Sequence, residues 1–175
     1  MASETILGKG VFNTEICLGK IVQTEQLVAI KKINKPWMIE RIPDMVKNLI
    51  NEINALAKCL QYENPFIIKQ MDFFESHDNL YIVTEYCQEK QVIEYDKDSM
   101  ITLSQKLNRK KEEHIKLGQS WNFEINLFDE NVVLSIGFQI ALALLSLANS
   151  KIVHGDVTLE NILLSRDTIR LSGFG

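Results

Sequence analysis

The stretch from residue 5 to residue 34 most restricts what this chain can fold into. Its apolar residues fall in three short runs, Thr5 to Gly8, Glu15 to Val22 and Gln26 to Ile33, punctuated by Gly8, Gly10 and the polar Gln23-Thr24-Glu25. Runs of that length between turns of that composition predict an antiparallel meander. Asp44 then reads as a helix N-cap, and Met45, Leu49, Ile53, Leu56 and Leu60 recur at helical spacing, with Glu52 close to the apolar face. Beyond Pro65, the runs Ile67 to Phe74 and Leu80 to Glu85 are separated by the turn-like Ser76-His77-Asp78-Asn79. The reading is an α+β fold with a five-stranded antiparallel sheet and one main helix.

Residues 88 to 130 are polar and mixed, with a helix expected from about Leu103 to Glu113 and loop insertions around it. Asp129 is expected to cap a long helix running through Ala148. The short runs Ile152-Val153, Ile162 to Leu164 and Ile169 to Leu171 read as small strands linked by loops, where reactive groups commonly sit.

At 175 residues the chain has room for one ordinary domain. Its 46% hydrophobic and 24% charged residues are the balance of a soluble globular protein. A net charge of −4 and a pI near 5.4 provide no basic field for nucleic acid. The short run Arg109-Lys110-Lys111, followed by Glu112 and Glu113, reads as a solvated helix face. Cys17, Cys59 and Cys87 are odd in number and widely spaced, so they read as reduced thiols of a cytoplasmic protein. With His77, His114 and His154 they show no metal-ligand spacing, and no structural metal is expected. The first residues do not resemble a signal peptide. The most apolar window, Val132 to Ala148, is shorter than the ~20 residues of a membrane span and contains Ser135, Gln139 and Ser146. It is expected to be a buried core helix, and no membrane partner is expected.

Four local signals carry chemistry, and each alone has a plainer reading. Gly8-Lys9-Gly10-Val11-Phe12-Asn13 lies between two strands, where glycines let backbone amides approach phosphate oxygens, although an ordinary hairpin has the same composition. Val28-Ala29-Ile30-Lys31 puts a lysine within reach of phosphates and a small Ala29 beside an adenine slot; it is also what an edge lysine on a buried strand looks like. Glu52 is either the anion that steadies that lysine or a solvated helix carboxylate. In His154-Gly155-Asp156-Val157-Thr158-Leu159-Glu160-Asn161, Asp156 can take a hydroxyl proton and Asn161 can offer its amide oxygen to magnesium. Chance also produces that spacing, but here the apolar Ile162-Leu163-Leu164 follows it.

Taken in order, these segments resemble the protein kinase superfamily, of Ser/Thr-like type, from Leu7 to Gly175. The resemblance implies residues 1–87 as an amino-terminal lobe with its hinge, and residues 88–175 as a partial helical lobe. The latter would hold insertions at about 88–102 and 114–128, a long helix at about 130–149 and a catalytic loop at 154–161. It implies ATP held by Gly8, Gly10 and Phe12, Ala29, Lys31 paired with Glu52, and Leu163 beneath the ring. Thr84 would be the gatekeeper, with Glu85 to Cys87 offering backbone hydrogen bonds to adenine. Asp156, Lys31 and Glu52 would be the catalytic residues and Asn161 the magnesium ligand.

The chain departs from the family pattern at several positions. Gly173 of Ser172-Gly173-Phe174-Gly175 stands where an aspartate normally binds magnesium, so Asn161 would hold the metal largely by itself. Gly155 replaces an arginine, Thr158 a lysine, Asn13 a glycine and Gln70 an apolar residue, and Ile16 is offset by one from the glycine loop. The chain stops at Gly175, so it is expected to be a fragment without the segment that positions a protein substrate. Two functions follow from the resemblance: an ATP-dependent kinase of protein Ser/Thr hydroxyls in its complete form, or a pseudokinase that binds nucleotide and acts as a scaffold for a partner protein.

Overall fold

Alternation of apolar and polar residues from residue 5 onward yields three consecutive strands, β1 (Ile6–Gly10), β2 (Thr14–Lys20) and β3 (Leu27–Asn34). In the computed structural model, which describes residues 5–10, 14–41, 53–54, 57, 64–88, 91, 93–94, 102–103, 130–166 and 168–173, they join β4 (Gln70–Glu75) and β5 (Asn79–Glu85). The resulting five-stranded sheet has the order β1-β2-β3-β5-β4 and is antiparallel throughout. The strand limits differ from expectation by a few residues, most at β4. There Ile67 makes only an isolated bridge to Leu171, and the strand begins at Gln70.

Register decides which side chains share a face, because directly opposed residues project to the same side. One row runs Leu18, Ala29, Thr84, Gln70; the next runs Ile16, Lys31, Ile82, Phe73. Ile16 lies on this face through its pairing with Lys31, and β1 carries one extra residue between its pairs Ile6–Cys17 and Gly8–Ile16, a bulge that shifts the glycine-bearing end of β1 by one against β2. Ile33 and Ile82 on the same face are buried in one core with Ile67, Ile68, Leu147, Ile162, Leu164, Ile169 and Leu171. The Lys31-bearing face is therefore the inner face.

A helix that periodicity did not anticipate follows β3. α1 (Lys35–Arg41) starts where Asn34 Oδ1 accepts the Trp37 N–H at 2.9 Å, an N-cap bond, with Pro36 tolerated in the first turn. Met38 anchors it at 3% exposure, and the Arg41 guanidinium lies 5.6 Å from the Trp37 ring. Seven residues are too few to show a repeat, and the cap outweighs the pattern. Of the helix expected over 44–60, the described residues Ile53, Asn54 and Ala57 are helical. The helix expected from Leu103 does not begin there, since Leu103 lies in a strand; its remaining residues lie outside the described ones. Within the expected loop insertions, β6 (Ile93–Glu94) pairs antiparallel with β7 (Thr102–Leu103).

The long helix α2 (Glu130–Asn149) is 20 residues and, by length and composition, apolar enough to cross a bilayer. Its expected burial is only partial. Ala143 and Leu147 are buried, whereas Val133, Leu134, Phe138 and Leu145 are exposed. The apolar window understated the helix because the end residues and the internal Ser135, Gln139 and Ser146 are compatible with helix. At its end Ile152 N–H bonds Leu147 O and Lys151 N–H bonds Ala148 O, both at 2.9 Å, with Lys151 at φ 58°. This closing motif consumes Ile152 and explains why Ile152-Val153 is not the expected strand.

β8 (Ile162–Ser165) and β9 (Thr168–Leu171) form a hairpin whose second strand ties the two parts together. Leu171 N–H bonds Phe66 O at 2.8 Å, and Ile68 N–H bonds Leu171 O at 2.9 Å. Arg170 Nε lies 3.0 Å from Glu85 Oε1, and its Nη1 donates to Pro65 O. Both partners are about four-fifths buried, with side-chain exposures of 17% and 22%. Replacing Arg170 by Ala is expected to cost about 1–3 kcal/mol, the range for a charge-assisted bond lost from a buried partner. Urea unfolding of R170A, E85Q and the double variant measures this, with the two losses strongly non-additive.

Candidate functional site

The inner sheet face holds the first group of expected site residues. Ala29 and Thr84 are direct cross-strand partners, and Lys31 stands two residues along β3 from Ala29. Gly8 and Gly10 lie on β1, with Gly10 opposite Thr14. A side chain at Gly10 would collide with Thr14 Oγ1, whereas space around Gly8 is open. Phe12 and Glu52 lie outside the described residues. Glu85 ends β5, and its N–H is taken by Lys69 O at 2.9 Å, so its carbonyl is the backbone group it has to offer a ligand. Its carboxylate accepts Lys69 N–H and Arg170 Nε, which directs the side chain toward β9. Cys87 is buried at 4% exposure, and Leu163 on β8 is half-buried against the core.

The second group is a closed ring of hydrogen bonds. Asp156 N–H donates to His154 Nδ1 at 3.2 Å, and His154 Nε2 lies 2.9 Å from Ser172 O. Since Nδ1 accepts, the proton of the neutral imidazole sits on Nε2 and is donated to Ser172 O. Ser172 returns its N–H at 2.8 Å and its hydroxyl at 3.1 Å to Asn161 O. Asn161 Nδ2 closes the ring on Asp156, at 2.9 Å to its carbonyl and 2.8 Å to its carboxylate Oδ2. The single 3₁₀ turn Leu159–Asn161, with Asn161 N–H bonding Thr158 O at 3.1 Å, presents Asn161 to Asp156.

Gly173 sits beside this ring in the left-handed region, at φ 75°. The Asn161 amide packs over its Cα, in the place a Cβ would occupy. No carboxylate stands at this position. Among the described residues no group of three or more His, Cys, Asp or Glu could hold a metal ion.

His154 is 4% exposed and connects the loop to the end of β9. Sequence offered only its place two residues before Asp156. Burial lowers its pKa below the ordinary 6.5, against the opposing pull of the Ser172 carbonyl and the Asp156 charge.

The five-stranded antiparallel sheet is that of a protein kinase domain. A family model described as protein kinase domain matches residues 1–175, and the chain belongs to that family. It is similar to Cell division control protein 7 of Schizosaccharomyces pombe, 26% identical over 170 residues, which covers 97% of this chain and 13% of that protein. It is likewise similar to the serine/threonine-protein kinase PLK4 of Danio rerio, 29% identical over 172 residues, 98% of this chain and 15% of that one. Serine/threonine-protein kinase nekl-2 of Caenorhabditis elegans is 30% identical over 173 residues, 97% of this chain and 42% of that one. The chain thus spans less than half the length of each of these relatives.

A histidine held neutral by burial makes stability depend on pH with a definite sign. Because the native pKa is lowered, the unfolded chain takes up the proton first, so stability is full above 6.5 and falls as pH drops through the lowered native value. The melting temperature is expected to fall between about pH 7.5 and about pH 5.5. His154→Gln should flatten this slope while costing about 1–3 kcal/mol at the upper end. Thermal melts of both proteins across that range check it.

Proposed function

We propose that this kinase-fold chain binds ATP without a metal-held phosphate and acts as a pseudokinase, a nucleotide-binding module for a partner protein. The observation that carries the reading is Gly173: a glycine in the left-handed region, covered by the Asn161 amide, where phosphotransfer calls for a second, anionic ligand. The donors left in the ring are Asn161 Oδ1 and an Asp156 carboxylate that already accepts from Asn161. That set does not fit a divalent ion bridging two phosphates. Removing an anionic ligand also removes a negative charge that the metal would otherwise offset, so the triphosphate can approach Lys31 without a cation.

In this reading the adenine ring lies between Ala29 and Leu163, against Thr84, with Glu85 O and the Cys87 backbone at its edge. The phosphates run toward Lys31 and the Gly8–Gly10 strand. The kinase names of the relatives keep a second reading open, in which the chain is part of a Ser/Thr kinase. The favouring observation is that Asp156 and Asn161 are held in place in the loop.

Thermal melts with ATP, in magnesium or in EDTA, decide between them. The expected result is an upward shift of equal size in both buffers, abolished by Lys31→Met, with no phosphate transfer to a generic protein acceptor. A magnesium-dependent transfer that Asp156→Asn removes would establish the kinase. No ATP shift on a folded sample would end the nucleotide reading.

A further inference from the structure

Three separate segments meet at Arg170. Its Nε donates to Glu85 Oε1 at 3.0 Å, and its Nη1 donates to Pro65 O and, at 3.1 Å, to Ile169 O. Glu85 ends β5, Pro65 precedes β4, and Arg170 itself lies on β9. The same Glu85 oxygen accepts Lys69 N–H, and Glu85 N–H bonds Lys69 O, each at 2.9 Å. The last residue of β5 is therefore gripped through both its backbone and its side chain, and this grip sets the direction of its carbonyl.

Register shows what the grip connects. Across the β8–β9 hairpin Arg170 is the direct partner of Leu163, so the two side chains project to one side. Along β5 successive side chains alternate between faces, so the Glu85 carboxylate lies on the face away from the Thr84–Ala29 pair. Arg170 thus joins the residue expected beneath a ligand ring to the backbone expected at its edge, and it does so from behind the ligand. An exposed ion pair would make such a link weak. This pair is about four-fifths buried on both sides, its bond is charge-assisted, and a guanidinium fork holds direction as well as distance.

We propose that Arg170 is a positioning residue for the ligand seat: by clamping Glu85 to β9 it holds the Glu85 carbonyl and the backbone after it at a set height above Leu163, where they meet the edge of an aromatic base. The inference rests on the nucleotide reading for the identity of that base. Arg170 acts on the base and not on the phosphates, which separates its role from that of Lys31.

The test titrates the whole 175-residue chain calorimetrically with adenosine and with ATP in EDTA, at a temperature where melts show each variant folded. Arg170→Met is expected to weaken both ligands by the same factor, about tenfold, the size of one hydrogen bond lost at the base edge. Glu85→Gln, which keeps the shape and drops the charge, should weaken both by about threefold, and the double variant should bind no worse than Arg170→Met. Arg170→Lys, which keeps the charge and loses the fork, should stay within about threefold of the wild type. As a control, Met38→Ala empties a buried site in α1, and it should lower the melting temperature while leaving both affinities unchanged. Should Arg170→Met not fold, Glu85→Gln and Arg170→Lys carry the same comparison. A loss confined to ATP, or an equal loss in Met38→Ala, would overturn the proposal. If the wild type binds both ligands and the folded Arg170 and Glu85 variants bind them equally well, the proposal falls and the nucleotide reading stands; if the wild type binds neither, both fall.

Discussion

The site depends on one closed circuit of hydrogen bonds, from Asp156 through His154, Ser172 and Asn161 back to Asp156. Each member satisfies the next, so none can move alone. Two of the four links use backbone groups of Ser172, which immediately follows β9, and β9 is bonded in turn to Phe66 and Ile68 ahead of β4. A loop of seven residues with no strand of its own thereby inherits the rigidity of the sheet. The neutral imidazole is central because it accepts from one side and donates to the other. A charged imidazole could only donate and would leave Asp156 N–H unpaired.

Much of this was legible in the chain, for identifiable reasons. The five strands announced themselves because β-rich runs such as Val28-Ala29-Ile30 and Leu80 to Glu85 are bounded by turn residues, and a period of two survives small errors in limits. That Asp156 and Asn161 stand together was legible because they are five residues apart, and the structure joins them by hydrogen bonds. The short helix α1 was not, because a cap between Asn34 and Trp37, rather than any repeat, decides it. The hairpin of β6 and β7 has two-residue strands, below the length at which alternation can be read. The Glu85–Arg170 pair joins residues 85 positions apart, and no local pattern carries such information. Phe12 and Glu52 rest on the family resemblance alone.

The kinase family supplies the frame, and the frame is kept where it is structural. The five-stranded antiparallel sheet is kept, with a bulge in β1 between Ile6 and Gly8. Departures from the family pattern include Gly173, beside the hydrogen-bonded ring, and Gln70, opposite Thr84 on the sheet. The Asn161 amide occupies the space beside Gly173, and Gln70 is buried at 8% exposure.

The long helix has a mechanical peculiarity. From Asn131 to Asn149 it carries no charged residue, so ion pairing gives it no preferred rotation about its own axis. Gln139 Oε1, however, accepts the N–H of fully buried Ile169 at 2.9 Å. That amide works as a peg: it sets both the turn and the height of the cylinder against β9. Because the peg is neutral and faces the interior, ionic strength should barely affect how the helix is seated.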